Sequence, residues 1–242
     1  MAQLALKPPL SRFESFSLIM FGWLARPLTN DSIWLRVNLV KARVPMLPAP
    51  YVATSLMIVF LTFVVCAALT LMMLLVAPSL TAPNGAQLLT IPIQIGLCFF
   101  LLVIIPFILA AVQYYSPGVT SYQRGRDMDK NLPYAASYVA AMAAANATPD
   151  KIFKSLARNK DIYGEISNEA AWIYQNMAFV GQDLVTTLKS AVERSPSETF
   201  REFMQGMVGT ITSGGNMKLY FLNRSEYYAQ ANRVAVKDLI NQ

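Results

Sequence analysis

The stretch Asn131–Phe153 reads NLPYAASYVAAMAAANATPDKIF, and it decides the fold of this chain. Between Pro133 and Ala147 it carries no charge, and eight of these positions are alanine. The uncharged run is shorter than the roughly 20 residues that a membrane-spanning helix needs. Alanine has the highest helix propensity but adds little hydrophobic free energy. We therefore predict the closely packed central helix of a bundle, opening near Asn131 with Pro133 in its first turn.

The composition indicates a membrane protein. Of the 242 residues, 55% are hydrophobic and only 14% are charged, against about 25% charged in ordinary soluble domains. The charges are also unevenly placed. Residues 51–115 contain none, whereas residues 1–50 contain six basic residues, namely Lys7, Arg12, Arg26, Arg36, Lys41 and Arg43.

Two apolar runs are long enough to span a bilayer. Tyr51–Ala77 and Leu88–Gln113 contain no charged residue, so both are predicted membrane helices, with a kink at Pro106 in the second. The turn-rich segment Pro78–Gln87 joins them. Because the basic residues lie before the first run and after the second, we expect both chain ends in the cytoplasm and the linker outside a cell membrane crossed more than once.

The basic arm, residues 1–50, contains two amphipathic stretches. Phe16–Pro27 and Asn30–Arg43 interleave aromatic and basic side chains. One interpretation places them on the cytoplasmic membrane surface, with the cations on anionic lipid headgroups. The other packs them on the soluble domain, and the sequence leaves both open.

The rest of the chain is a run of short helices. Thr148-Pro149-Asp150 supplies a cap, a first-position proline and an acidic first turn. Further helices are predicted over about 165–180, from Asp183 to Arg194, from Ser197 to the Gly214-Gly215 pair, and from Asn216 towards Asp238. The fold class is therefore all-α, with a two-helix transmembrane hairpin (51–113) and a cytoplasmic six-helix bundle (114–242).

The chemistry of catalysis is sparse in this sequence. There is no histidine, and Cys66 and Cys98 both lie in apolar runs, where a thiol behaves as a small hydrophobic group. No phosphate-binding loop, dinucleotide-binding glycine motif or nucleophile motif occurs. We therefore expect no enzymatic activity, no cofactor or metal, and no nucleic-acid partner.

Six motifs together resemble a known family. They are NLPYA (131–135), NATPDKIFKSLA (146–157), YGEISNEAAWI (163–173), FVGQDL (179–184), SPSETFREFMQGM (195–207) and TITSGGNMKLYF (210–221). In this order, after a basic arm and a membrane hairpin, the chain resembles the type II secretion system F family. Within that family it is most similar to the N-terminal half of the archaeal platform proteins FlaJ/ArlJ, which serve the archaellum and related type IV pili.

The resemblance implies a membrane platform without catalytic activity. A cytoplasmic hexameric secretion ATPase is expected to dock beneath it and to drive pilin or archaellin subunits into a filament, with rotation in the archaellum. Members of this branch usually continue into a second helical domain, so we expect a homodimer or a second platform half as partner. A two-span adaptor or signalling protein is the alternative, although short helices disfavour it. Asn146-Ala147 stands where the family often has glycine.

A basic helix face is the candidate site for the ATPase. Lys151, Lys154 and Arg158 recur at helical spacing opposite an apolar stripe, and Lys160 follows. Nearer the membrane are Arg124, Arg126 and Lys130. Two simpler interpretations remain, since these residues could form an ordinary solvated face or hold anionic lipid headgroups.

Overall fold

The computed structural model describes residues 11–30, 32–76 and 96–240, and within them the regular structure is helical, with no strand. The chain divides into two compact units, residues 1–119 and 120–242. The predicted all-α class is confirmed. The linker Pro78–Gln87, the start of the second apolar run and Lys7 lie outside the described residues.

The described residues of the first unit include the helices α1 (Arg12–Asn30), α2 (Ile33–Lys41) and α3 (Pro48–Val76). Both amphipathic stretches of the basic arm are thus helical. α1 packs along α3, with the Phe21 and Phe60 ring centroids 5.7 Å apart. Small residues such as Ser17, Ala25 and Ala53 are completely buried in this unit, which lets the backbones approach closely.

Among the described residues, two helices have both the length and the mean apolar character of a membrane span: α3 and α4, which runs from Gly96 to Ala144. In the most apolar stretch of α3 only 11% of the residues are buried by the rest of the protein, and in that of α4 only 6%. This is the expected arrangement when lipid covers the side chains. Tyr51, near the start of α3, donates a hydrogen bond from its hydroxyl to the backbone oxygen of Gln113 at 2.8 Å.

The alanine-rich segment is the last part of α4 rather than a separate helix. The prediction that a helix opens at Asn131 was wrong, because α4 continues through this position. Pro133 therefore lies inside a helix, where it removes a backbone hydrogen bond. Packing offsets that cost: Leu132, Ala135 and Ala136 are at most 2% exposed in the core. The segment is thus central to the bundle, as its alanines indicated.

Proline has a visible effect earlier in α4. Pro106 cannot donate a backbone hydrogen bond to Leu102, and residues Phe100–Ile104 just before it form a π-helical turn. Such turns occur where the regular hydrogen-bond ladder is interrupted. The irregularity that Pro106 predicted is therefore present as one widened turn.

The second unit is a bundle built on the end of α4. Its other helices are α5 (Pro149–Arg158), α6 (Lys160–Tyr163), α7 (Glu165–Ala178), α8 (Leu184–Arg194), α9 (Glu198–Thr212) and α10 (Met217–Ile240). The single turn α6 was not predicted from the sequence. The other starts and stops follow the predicted signals closely: Asp183 and Ser197 accept hydrogen bonds from Thr186 N and Phe200 N.

Left-handed residues end two of these helices as the sequence suggested. Asn146 has φ of 56° and Gly214 has φ of 69°. Asparagine tolerates this conformation better than most residues, so Asn146 serves in the turn before α5 without a glycine. The core beneath the turns is formed mainly by Leu132, Phe153, Ile173 and Phe200, each at most 3% exposed.

Candidate functional site

The basic face of α5 is exposed, as predicted. Lys151, Lys154 and Arg158 are all exposed, whereas Ile152, Phe153 and Leu156 on the opposite face are buried. This division makes α5 the most strongly amphipathic of the described helices. The ammonium group of Lys154 also lies 5.6 Å from the centre of the Tyr174 ring in α7.

Three further predicted basic residues are also at the surface. Lys160 is exposed at the start of α6. Arg126 and Lys130 are exposed on α4, four positions apart, so they share one helix face. The Arg126 guanidinium lies 5.9 Å from the Tyr122 ring centre. These three residues and the three of α5 remain available to an acidic partner.

Arg124, the seventh predicted residue, is placed differently. Its side chain is 9% exposed and donates from Nε to Glu165 at 2.8 Å and from an η nitrogen to Glu169 at 3.0 Å. Glu169 is fully buried. Arg124 therefore ties α4 to α7 inside the bundle, and its charge is neutralised before any partner could use it.

A second arginine completes this buried ion cluster, which consists of Arg124, Glu165, Glu169 and Arg194. Nε of Arg194 lies 3.9 Å from Glu169, and its guanidinium lies 4.1 Å from the centre of the Trp172 ring. Two cations thus face two carboxylates, so the cluster is formally neutral. Because Glu169 is fully buried, the loss of one of its cations is costly.

Two aspartates of α4 organise the starts of other helices. Asp127 accepts a hydrogen bond from Glu165 N at 2.7 Å, at the start of α7. Asp129 accepts one from the Ser197 hydroxyl at 2.5 Å, and Ser197 is itself the N-cap of α9. A carboxylate is favourable at a helix N-terminus because it meets unpaired N–H groups and the positive end of the dipole.

Sequence reasoning missed the roles of Arg124, Asp127 and Asp129. Their spacing in RGRDMDK carried a signal, since charges that surround buried Met128 on several sides of a helix cannot all face water. Without the positions of α7 and α9, however, no partner could be assigned to them. Glu165 and Glu169 pair with Arg124, and Asp183, the predicted helix start, caps α8.

The bundle also encloses an apolar cavity of about 400 Å³. Its lining includes Phe153, Phe200 and Met207, and Lys218 is the single titratable residue among the lining side chains. Lys218 donates a hydrogen bond to the Ala144 backbone oxygen at 3.2 Å.

Comparison with known proteins agrees with this architecture. Residues 135–241 match the family "Type II secretion system (T2SS), protein F". An uncharacterized protein of Methanocaldococcus jannaschii is 30% identical over 115 residues, which are 48% of this chain and 19% of that protein. The chain thus corresponds to about a fifth of the curated relative that it matches. No solved structure matches.

The family match begins at Ala135, inside the buried part of α4, and extends through α10. It therefore covers the bundle from the last part of α4 onward. Residues 135–241 of this bundle therefore form a domain of the type II secretion system protein F family.

Proposed function

We propose that the chain is a membrane platform of an archaeal archaellum or type IV pilus machine, which couples a cytoplasmic secretion ATPase to the assembly of pilin-like subunits. The observation that carries the proposal is the family domain of residues 135–241 in the same chain as two helices able to span a membrane. The order of the six motifs and the relative in the archaeon Methanocaldococcus jannaschii support the archaeal branch.

The proposed docking surface for the ATPase is the exposed basic group of Lys151, Lys154, Arg158 and Lys160, together with Arg126 and Lys130. All six side chains are exposed, whereas Arg124 acts within the buried ion cluster. The charge of this surface suits an acidic patch on the partner. Such complementarity speeds association and makes it sensitive to salt.

The organisation follows the same proposal. Residues 1–50 form the arm, 51–113 the membrane hairpin and 114–242 the cytoplasmic bundle of a protein in the cell membrane. A second copy or a second platform half completes the platform, and anionic headgroups contact the basic residues near the bilayer.

The test is binding of the detergent-solubilised chain to the secretion ATPase of the same organism, titrated against salt. We expect saturable binding that weakens as salt rises. The double variant Lys154→Glu with Arg158→Glu should bind at least about tenfold more weakly and with a smaller salt dependence.

The matched control reverses two exposed charges away from the proposed surface, Lys189→Glu with Arg233→Glu. It changes the net charge by the same amount but should leave binding close to that of the wild type. Equal effects of both double variants would refute the docking surface while leaving the platform role intact. Absence of binding by the wild type and by a platform that includes the second half would refute the ATPase coupling.

A further inference from the structure

The exposed side of α1 is unusually apolar for a helix assigned to a basic arm. Residues 15–25 carry no charge, and seven large hydrophobic side chains of α1 are exposed to between 37% and 80%. They are Phe13, Phe16, Ile19, Met20, Trp23, Leu24 and Leu28. An apolar surface of this extent marks contact with a membrane or with another protein.

The partner of α1 inside the first unit is α3, which is itself a candidate span. α1 and α3 contact each other along an extensive helix pairing. The Phe21 ring meets Phe60, which lies inside the uncharged run. A helix that packs lengthwise on a spanning helix shares its layer of lipid, because the two lie side by side.

The direction of α1 follows from two contacts. After α1, Trp34 stacks on Tyr114 with ring centroids 5.4 Å apart, next to Gln113, which holds the Tyr51 hydroxyl. Trp34, which follows the end of α1, therefore lies at the same height along α3 as Tyr51, near the start of that helix. Phe21, by contrast, is level with Phe60, about 13 Å farther along α3. α1 thus runs antiparallel to α3.

Helix geometry then places the start of α1. Arg12 lies nine residues before Phe21, which adds about another 13 Å. Arg12 is therefore about 27 Å from the level of Tyr51, close to the roughly 30 Å thickness of a hydrocarbon core. The uncharged residues 15–25 cover only about 16 Å of this length, so a crossing requires Arg12 and Arg26 to reach the two interfaces with their long side chains.

The start of α1 is also closed by its own residues. Ser11 N donates to Glu14 Oε2 at 2.8 Å, and Glu14 N donates to the Ser11 hydroxyl at 3.2 Å. This reciprocal capping box satisfies backbone groups that would otherwise need water. Such closure suits a helix end at a membrane interface, where an unsatisfied backbone group is costly.

We propose that α1 is a third membrane-crossing helix, with its exposed apolar face on lipid acyl chains and Ser11 on the side opposite to the bundle. This replaces the sequence-based expectation that the arm lies on the cytoplasmic surface with its start in the cytoplasm. The basic residues that follow α1 stay on the bundle side, so the topology still obeys the positive-inside rule. They are Arg36, Lys41 and Arg43.

Cysteine labelling tests the crossing. In a Cys66→Ala, Cys98→Ala background, Ser11→Cys and Ser213→Cys are compared with a membrane-impermeant maleimide on right-side-out and inverted vesicles. Ser213 is exposed in the bundle and serves as the reference. We expect Ser11→Cys to be labelled only in the vesicles in which Ser213→Cys is protected. Labelling from the same side as Ser213→Cys, or from neither side, overturns the proposal.

A second measurement separates burial in lipid from a surface location. The chain has three tryptophans, so Trp34→Phe with Trp172→Phe leaves Trp23, which is 74% exposed on α1. In vesicles of brominated phosphatidylcholine, bromines deep in the acyl chain should quench Trp23 more than bromines near the headgroup. The matched variant that keeps Trp34 should show the reverse order. Shallow quenching of Trp23 contradicts the crossing.

Discussion

Arg124 and Glu169 form a buried ion pair across 3.0 Å, between a residue of α4 and one of α7 that is separated from it by 45 positions. Arg124 also holds Glu165. A basic residue that the sequence assigned to a partner surface thus stabilises the bundle from within. A substitution of Arg124 is therefore expected to change the stability of the bundle, whether or not it also changes binding to a partner.

Arg124→Met is expected to destabilise the bundle by about 3–5 kcal/mol, because it leaves the Glu169 carboxylate buried without its closest cation. Removing both charges in Arg124→Met, Glu169→Leu should recover much of that loss, since no uncompensated charge remains. The measurement is the free energy of unfolding by denaturant, followed by Trp172 fluorescence with Trp23 and Trp34 replaced by Phe. A double variant no more stable than Arg124→Met would contradict the pairing.

Gly206 and Gly209 give a matched pair on α9. A Cβ at Gly206 would collide with the Tyr220 ring, whereas a Cβ at Gly209 meets nothing within 4 Å. The Tyr220 ring cannot move freely, because its hydroxyl donates to the Phe203 backbone oxygen at 2.6 Å. Gly206→Ala should therefore cost about 1–3 kcal/mol.

Gly209→Ala should instead stabilise α9 by up to about 1 kcal/mol, since alanine favours the helix and the position is open. Both variants are compared by chemical denaturation under one set of conditions. Similar effects of the same sign at the two positions would be inconsistent with the packing described.

The alanines of α4 should also differ among themselves. Ala136 is fully buried, so Ala136→Leu overpacks the core and should cost about 1–3 kcal/mol. Ala143 lines the apolar cavity, where Ala143→Leu has space and should cost less than about 1 kcal/mol or stabilise the bundle. Thermal unfolding of both variants checks the order, and a larger loss at Ala143 would contradict it.

Alkaline pH should weaken the bundle through Tyr228. Burial raises the pKa of Tyr228 to about 12, above the ordinary value of about 10. Because the folded state favours the neutral phenol, its contribution is complete below pH 10 and is lost as the pH rises to about 12. Tyr228→Phe should therefore reduce the loss of unfolding free energy between about pH 10 and 12.

The control for this titration is Tyr227→Phe, which changes the adjacent residue, 56% exposed. It should keep the pH dependence of the wild type. If Tyr228→Phe retains the full alkaline loss, burial of the Tyr228 phenol does not contribute to it.

Local signals in the sequence predicted most of the helix ends. Asp183, Ser197 and Gly214 act through backbone groups within a few residues, so their effects can be read without knowing the fold. The continuity of α4 through Pro133 was harder to predict, because this residue resembles a first-turn proline and the hydrogen bond that it removes is offset by packing of the neighbouring alanines in the core. Helix propensity describes each residue in an isolated helix, so it does not include the stabilisation that comes from tertiary packing.

The site was predicted less completely than the fold. Helical spacing identified the exposed face of α5, because its apolar stripe shows which side is inward. No such stripe distinguishes Arg124 from Arg126, two positions apart on α4. Their environments differ only because α7 brings Glu165 and Glu169 to one of them. Long-range pairing of this kind depends on the tertiary arrangement.

The two aspartates of α4 also set an order of events during synthesis. The partners of Asp127 and Asp129 lie 38 and 68 positions later in the chain. At about 5–20 residues per second, a ribosome needs seconds to supply them, whereas a helix forms within about a microsecond. The contacts of Asp127 and Asp129 with the starts of α7 and α9 can therefore form only after those segments have been synthesised, so this part of the bundle closes late in translation.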